Sequence, residues 1–224
     1  MHIFTSGGHP VSDIVALDAR VVRASVQAVS QVRAADLARP TPCGDWTLAE
    51  LIAHMTGQHD GFAAAAAGGG ADLARWRSAG AATGPVGEYA AAAGRVLAAF
   101  AADGVLDGRF ALPEIHPELR FPATQAIGFH LVDYVVHGWD VARSLGWPGY
   151  VLDPDLLGTA LLIARSVPDD ERRRRPAAAF APRVPAEDSL SPLDQIVALL
   201  GRRPQWPAPA VAGAGSRRTR STYG

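Results

Sequence analysis

The stretch HLVDYVVHGWD, residues 130–140, combines the apolar residues of a buried helix with two histidines and two aspartates. It lies inside a longer segment, residues 122–145, that is predicted to be one helix ending at Gly146, with Pro148 just beyond. Four polar groups within eleven residues of such a helix either face solvent or converge on one site that they form together. Both interpretations depend on what the other helices bring to this one.

Helical patterns dominate the remaining sequence and predict an all-α fold. Thr47 and Glu50, three residues apart, are typical of a capping box at the start of a helix. Extended chain is only weakly indicated, at residues 109–112 and 178–184. Four long helices joined in this way bury their apolar stripes best as an up-down bundle. The other predicted helices are residues 11–38, 47–66, 87–103, 153–166 and 192–200, with a short helix near Trp76.

The chain is expected to form one bundle with an appendage. The 224 residues, 48% of them hydrophobic, can bury a substantial core. We assign residues 1–150 to a four-helix bundle and residues 151–206 to a small C-terminal helical extension that packs on it. Residues 207–224 have little to bury and are expected to be a disordered tail.

Composition narrows the functional classes. The formal net charge of -1 favours neither nucleic acid nor an anionic membrane as a partner, and no run of about 20 apolar residues predicts a membrane span. The single cysteine, Cys43, cannot form an intramolecular disulfide, and the first ten residues lack the pattern of a signal peptide, so a cytoplasmic location is expected. All 21 basic residues are arginine, which indicates a GC-rich genome such as an actinobacterium's. The run Arg172–Arg175 is interpreted as a solvated loop.

Asp133 and His137 are the first candidates for a metal site. They are four residues apart, so their side chains lie on one helix face, one turn apart, and can both reach one ion. His54, in the helix that follows Thr47, is the candidate for the third ligand. His130 and Asp140 lie near the same face as His137.

Several simpler interpretations remain open. The histidines could be hydrogen-bonded core residues, and Asp133 could pair with an arginine. Asp140 and Arg143, three residues apart, could form a surface ion pair. His59, about 140° around the helix from His54, is expected to face solvent. Cys43 is interpreted as a buried apolar group, since no neighbouring pattern indicates an activated nucleophile.

Three segments in this order resemble a known family. They are TPCGDWTLAELIAHM (residues 41–55), VDYVVHGWDVARSLG (residues 132–146) and LSPLDQIVALLGRRPQW (residues 190–206). Together they resemble the mycothiol-dependent maleylpyruvate isomerase N-terminal type of DinB-like protein, whose actinobacterial members include metal-binding proteins. The resemblance extends from about residue 41 to residue 206.

The resemblance implies a DinB-like four-helix bundle that holds a divalent ion through two histidines and one carboxylate. Residue by residue, these are His54, Asp133 and His137, with His130 and Asp140 as candidates for the groups behind the ligands. Zinc is the expected ion, with nickel, iron or manganese as alternatives. Members with isomerase activity have Glu where this chain has Asp133, which is one methylene shorter.

The resemblance also implies mycothiol as cosubstrate. A divalent ion would lower the pKa of the bound thiol, or of bound water, and so produce a nucleophile at neutral pH. The leading hypothesis is a metal-dependent isomerase or S-transferase that uses this small thiol on a small electrophilic metabolite, with a homodimer left open. The first alternative is a metal-binding protein without catalysis, a sensor or binding module. The second is a bundle without a metal, whose His and Asp side chains do not converge.

Overall fold

The computed structural model describes residues 13–78, 84–175, 178–185, 187 and 189–207. α-Helices dominate these residues, and the two strands form one small antiparallel sheet, so the predicted all-α class is confirmed. The elements are α1 (Asp13–Val29), α2 (Leu48–Ala66), α3 (Gly84–Phe100), β1 (Arg109–Ala111), β2 (Arg120–Pro122), α4 (Ala123–Leu145), α5 (Pro154–Ser166) and α6 (Pro192–Leu199).

The ends of the two site-bearing helices follow the sequence signals. The Thr47 hydroxyl accepts a hydrogen bond from the Glu50 backbone N–H at 3.3 Å, and the Glu50 carboxylate accepts one from the Thr47 backbone N–H at 2.8 Å. This is the predicted capping box, which satisfies two of the free N–H groups at the start of α2. α4 ends before Gly146, which has the left-handed conformation with φ 65°. Both boundaries are confirmed.

Other elements differ from the prediction, including α3, which spans Gly84–Phe100 rather than residues 87–103. α1 ends at Val29 rather than at residue 38, and a separate 3-10 turn follows, in which the Asp36 carboxylate accepts a hydrogen bond from the Arg33 backbone N–H. Within described residues 178–184 no strand forms. The strand that pairs with β1 is β2 instead, with Phe110 opposite Phe121. Three residues are too few to show the alternation that identifies a strand in sequence.

α1 packs chiefly on α4, and α2 packs chiefly on α3. α2 and α4 run in opposite directions, because Tyr134 contacts Met55 whereas His130, one turn earlier, contacts His59, one turn later. Residues on facing turns of these two helices therefore meet in the middle of the bundle.

α2 and α3 run in the same direction. The ring of His59 lies 5.1 Å from Tyr89, and the ring of Phe62 lies 6.5 Å from Phe100, measured between centroids. Two consecutive parallel helices require a connection that returns along the bundle, so the predicted up-down order is wrong between α2 and α3. The 3-10 helix at Leu73–Trp76, the predicted short helix, lies in that returning segment.

The returning segment packs on α2 where α2 has glycines. A Cβ atom at Gly61 would lie 2.2 Å from the Trp76 indole, and one at Gly57 would lie 2.5 Å from the Trp76 carbonyl oxygen. The Trp76 indole N–H donates to the Gly70 carbonyl at 2.8 Å. These glycines therefore permit the close approach that brings the chain from the end of α2 to the start of α3.

The C-terminal helices pack on the bundle through α5, which contacts α4, and α6 contacts α5. The interpretation of the arginine run as solvated is wrong for Arg173, which is buried and donates to the carbonyls of Pro168, Ala181 and Leu199. The division near residue 150 stays a prediction, and residues 208–224, most of the proposed tail, lie outside the described residues. Among the described residues, no helix has the length and apolarity needed to cross a membrane.

Candidate metal site

The antiparallel packing of α2 and α4 brings His54, Asp133 and His137 together. One potential ligand atom of each lies within 4.8 Å of those of the other two. The rings of His54 and His137 meet edge to face, with centroids 5.3 Å apart and planes at 76°. Two helices thus supply the three side chains that spacing and resemblance had singled out.

The spacing of the donor atoms suits one ion between them. His137 Nε2 and Asp133 Oδ1 are 3.4 Å apart, longer than an ordinary N–H···O hydrogen bond. Two atoms that each bind a tetrahedral ion at about 2.1 Å lie about 3.4 Å from each other. Two imidazoles and one carboxylate are also a common donor set for zinc and similar ions. Asp133, although shorter than Glu, therefore reaches the position that a ligand needs.

His54 is held in the form that can bind a cation. Burial, with charge repulsion from the neighbouring His137 as the next cause, lowers the pKa of His54 to about 4. The imidazole is therefore neutral at neutral pH, with a lone pair on one ring nitrogen.

His137 is oriented from behind by Asp140. Its Nδ1 atom lies 3.0 Å from Asp140 Oδ2. Burial of Asp140 would raise its pKa, but the Arg202 guanidinium and the bond to His137 hold that pKa below the usual value. Because an ionised carboxylate only accepts hydrogen bonds, Nδ1 carries the proton. The other ring nitrogen, Nε2, then faces Asp133.

Arg202 belongs to this network and was not among the predicted site residues. It is buried, and its Nη2 lies 3.1 Å from Asp140 Oδ2. The proposed Asp140–Arg143 ion pair is wrong, since Arg143 donates instead to the carbonyls of Pro204 and Trp206. The sequence signal was the segment LLGRRPQW, which carried part of the resemblance without any role for its arginines.

A second convergent group, Cys43 with His137 and Asp140, is less suited to a metal ion. The Arg202 Nη2 lies 3.1 Å from Cys43 Sγ and the same distance from Asp140 Oδ2, so a guanidinium already neutralises this group. Burial raises the pKa of the Cys43 thiol to about 12. Cys43 is therefore a protonated thiol, half-buried, in agreement with its interpretation as unactivated.

The turn before α2 covers one side of the site. Thr41 Oγ1 donates to the Trp46 carbonyl at 2.9 Å and accepts from the Cys43 backbone N–H at 3.1 Å. The Trp46 ring centroid lies 4.8 Å from that of His54, while 38% of Trp46 is exposed. The site thus lies beside a partly exposed aromatic side chain.

His130 lies away from the three candidate ligands. Its Nδ1 lies 2.7 Å from Asp18 Oδ1 and its Nε2 lies 3.1 Å from His59 Nδ1, so both ring nitrogens are engaged in the core. The prediction of His130 as a group behind the ligands is therefore wrong. The prediction that His59 faces solvent is also wrong, because His59 is fully buried and stacks on Tyr134.

The sequence profile of the mycothiol maleylpyruvate isomerase N-terminal domain family matches residues 19–142. This range is more than half of the chain. The chain belongs to this family. The profile includes all three candidate ligands and Asp140, whereas Arg202 lies outside it.

Relatives of this mycothiol maleylpyruvate isomerase N-terminal domain protein occur in Mycobacterium tuberculosis. Two strains each have an uncharacterized protein that is 32% identical over 181 residues, 78% of this chain and 89% of the relative. The crystal structure of the mycothiol-dependent maleylpyruvate isomerase aligns with a TM-score of 0.48 and 13% identity, covering 70% of this chain and 68% of that chain.

Proposed function

We propose that this protein is a metal-dependent enzyme that uses a small thiol, mycothiol, in an isomerase or S-transferase reaction on a small electrophilic metabolite. The observation that carries the proposal is the convergence of His54, Asp133 and His137 within 4.8 Å. Membership of a family named for mycothiol and maleylpyruvate supports the choice of thiol and of reaction type.

Each residue has a distinct part in this proposal. His54, held neutral by burial, and His137, with its proton fixed on Nδ1, would offer lone pairs to the ion, and Asp133 would offer a carboxylate oxygen. A divalent ion in this position would supply charge that stabilises a bound thiolate or an enolate oxygen. Zinc is the proposed ion, because its preferred donors match this set, with nickel, iron and manganese as alternatives.

The three donors carry a formal charge of -1, so a divalent ion would leave the site at about +1. Such a site favours anionic ligands, which include the thiolate of mycothiol and the carboxylates of small organic acids. Trp46, half-exposed beside His54, would cover one side of a ligand and limit the access of water. Because the activity needs a reduced thiol, we place the protein in the cytoplasm.

The first experiment measures metal content by elemental mass spectrometry on untagged protein. We expect about one equivalent of divalent ion in the wild type, and loss of that ion in His54→Ala and in His137→Ala. His116→Ala is the matched control, since His116 lies in the connector before β2 and, among the described residues, accepts hydrogen bonds from the nearby Glu118 and Leu119 backbone N–H groups. Absence of metal in the wild type after reconstitution with zinc, nickel, iron and manganese would refute the proposal.

The second experiment tests catalysis. Loaded protein is mixed with maleylpyruvate and related unsaturated acids, with and without mycothiol, and substrate loss is followed by absorbance. We expect turnover that requires both the thiol and an intact His137. Stoichiometric metal without any thiol-dependent turnover would favour the alternative, a metal-binding protein without catalysis.

A further inference from the structure

We propose that Arg202 is a positioning residue of the metal site, which fixes the Asp140 carboxylate and through it the orientation and tautomer of His137. The C-terminal segment after α6 is then a part of the site rather than a separate appendage. The effect of Arg202 on metal affinity rests on the proposed metal-binding function. The effect of Arg202 on Asp140 and His137 does not, because it concerns side chains of this chain alone.

Arg202 is seated in the bundle by contacts that leave it little freedom. Its guanidinium donates to both carboxylate oxygens of Asp140, at 3.1–3.4 Å, and to the Leu200 carbonyl at 3.0 Å. Only 4% of the residue is exposed. A planar guanidinium bound to both oxygens of a carboxylate fixes the direction of that carboxylate as well as its charge.

The turn that delivers Arg202 is built for close approach. Gly201 has φ 83°, a left-handed conformation, and a Cβ atom there would lie 2.6 Å from the Ala181 carbonyl oxygen. Leu199, just before the turn, accepts a hydrogen bond from Arg173 at 2.7 Å. The turn is therefore held from two sides, and Arg202 reaches α4 from a defined direction.

Asp140 passes this constraint on to His137. With one carboxylate oxygen bonded to Arg202 and to His137 Nδ1, the imidazole cannot rotate without breaking a buried bond. The same bond leaves Nε2 as the atom directed toward Asp133. Partners behind a metal-binding histidine commonly change metal affinity by about 10- to 100-fold.

A purely electrostatic role and a positioning role of Arg202 predict opposite changes in metal affinity when Arg202 is removed. Loss of a nearby cation would, by electrostatics alone, tighten the binding of a divalent ion. Weaker binding after removal of Arg202 would therefore report lost positioning of His137.

The experiment compares wild type, Arg202→Met, Arg202→Lys and a matched control, Arg143→Met. Arg143 ties α4 to the same C-terminal segment, since it donates hydrogen bonds to the Pro204 and Trp206 carbonyls. In metal-free protein, the His137 tautomer is read from ¹⁵N chemical shifts of its ring. Zinc Kd is measured by competition with a chromogenic chelator, and circular dichroism checks the fold.

We expect Arg202→Met to lose the fixed Nδ1–H tautomer and to weaken zinc binding by about 10- to 100-fold. Arg202→Lys, which retains the charge that keeps Asp140 paired, should fold and show a smaller change in the same direction. Arg143→Met should keep both the tautomer and the Kd of the wild type, even if its Tm falls. Asp140→Asn combined with Arg202→Met should weaken binding no further than the stronger single variant, because both act through one bond.

The outcomes separate this inference from the metal proposal. An unchanged His137 tautomer in Arg202→Met or, if that variant does not fold, in Arg202→Lys overturns the positioning role, whether or not zinc binds. Zinc binding that is unchanged or tighter in the folded variant also overturns it. A wild type that binds no metal but loses the tautomer on Arg202 substitution supports the positioning role and refutes the metal proposal.

Discussion

His54 and His137 face each other across α2 and α4, with ring centroids 5.3 Å apart and planes nearly perpendicular. The two rings belong to antiparallel helices, and each has a different second contact, Trp46 for His54 and Asp140 for His137. The His137 ring is thus held by a buried carboxylate, whereas the His54 ring lies beside a partly exposed indole.

Substitution of Asp133 tests whether its carboxylate belongs to the proposed donor set. Asp133→Asn keeps the shape of the side chain but removes its charge, so we expect zinc affinity to fall by at least about tenfold. Asp133→Glu retains a carboxylate on a longer arm and should bind within about tenfold of the wild type. Chelator competition measures both values, and equal affinity of Asp133→Asn and wild type would remove Asp133 from the site.

Cys43 distinguishes the two convergent groups that share His137. Since burial raises the pKa of its thiol to about 12, we expect native Cys43 to react with iodoacetamide far more slowly at pH 8 than the same residue in unfolded protein. Cys43→Ala should retain a full equivalent of metal. Loss of the metal in Cys43→Ala would instead place the ion between Cys43, His137 and Asp140.

Local sequence signals were sufficient for the helices and for part of the site. The capping box at Thr47 and the glycine after α4 are satisfied within one turn of chain, so they can be recognised without knowledge of the fold. Asp133 and His137 are likewise one turn apart on one helix. The sequence offered His54 only as a candidate third ligand, which the family resemblance then supported, because spacing within one helix says nothing about the neighbour of that helix.

Residues joined across the fold were not predictable in this way. Arg202 lies 62 residues from Asp140 in sequence, and the packing of α6 on α5 and of α5 on α4 brings the two residues together. His59 was assigned to solvent because it lies about 140° from His54 on α2. α2 is enclosed on several sides, however, by α3, α4 and the segment at Trp76, so a polar residue on its second face is buried too.

The buried pair of Asp18 and His130 should stabilise the bundle without affecting the metal. In the wild type, His130 Nδ1 lies 2.7 Å from Asp18 Oδ1. Asp18→Ala removes this partner of Nδ1. An unsatisfied buried polar group costs about 1–3 kcal/mol of unfolding free energy. Asp18→Asn keeps an acceptor and should cost less. Urea denaturation of metal-free protein measures the loss, and unchanged zinc content would separate this pair from the site.

His59 should make metal-free protein less stable in mild acid. Burial, followed by the charges of His130 and Arg95, lowers the pKa of His59 well below 6.5. The unfolded chain therefore takes up a proton as pH falls below about 6.5 while the folded chain does not, so stability is present above that pH and declines below it. His54 adds a similar loss between pH 6.5 and about 4.

For each such histidine the loss approaches about 1.4 kcal/mol per pH unit. His59→Gln should reduce the change in the free energy of unfolding between pH 6 and pH 5 by up to about 1.4 kcal/mol, the effect of one bound proton. Urea denaturation at pH 7.5, 6 and 5 measures the slope. An identical slope in wild type and His59→Gln would mean that His59 titrates normally in the fold.

Gly61 should be sensitive to the smallest substitution. A Cβ atom there would lie 2.2 Å from the Trp76 ring, so Gly61→Ala must displace the segment that returns along α2. We expect the free energy of unfolding to fall by about 1–3 kcal/mol, as for other overpacked positions. Gly94→Ala is the matched control, because none of the described residues lies within 4 Å of the Cβ atom that it would add. Replacement of this helix-interior glycine should raise the free energy of unfolding by about 0.5–1 kcal/mol.

If the loss comes from the Trp76 contact, Trp76→Leu should make Gly61→Ala less costly in a double-mutant cycle. Equal stability changes in Gly61→Ala and Gly94→Ala would show that the returning segment does not pack on α2 in solution.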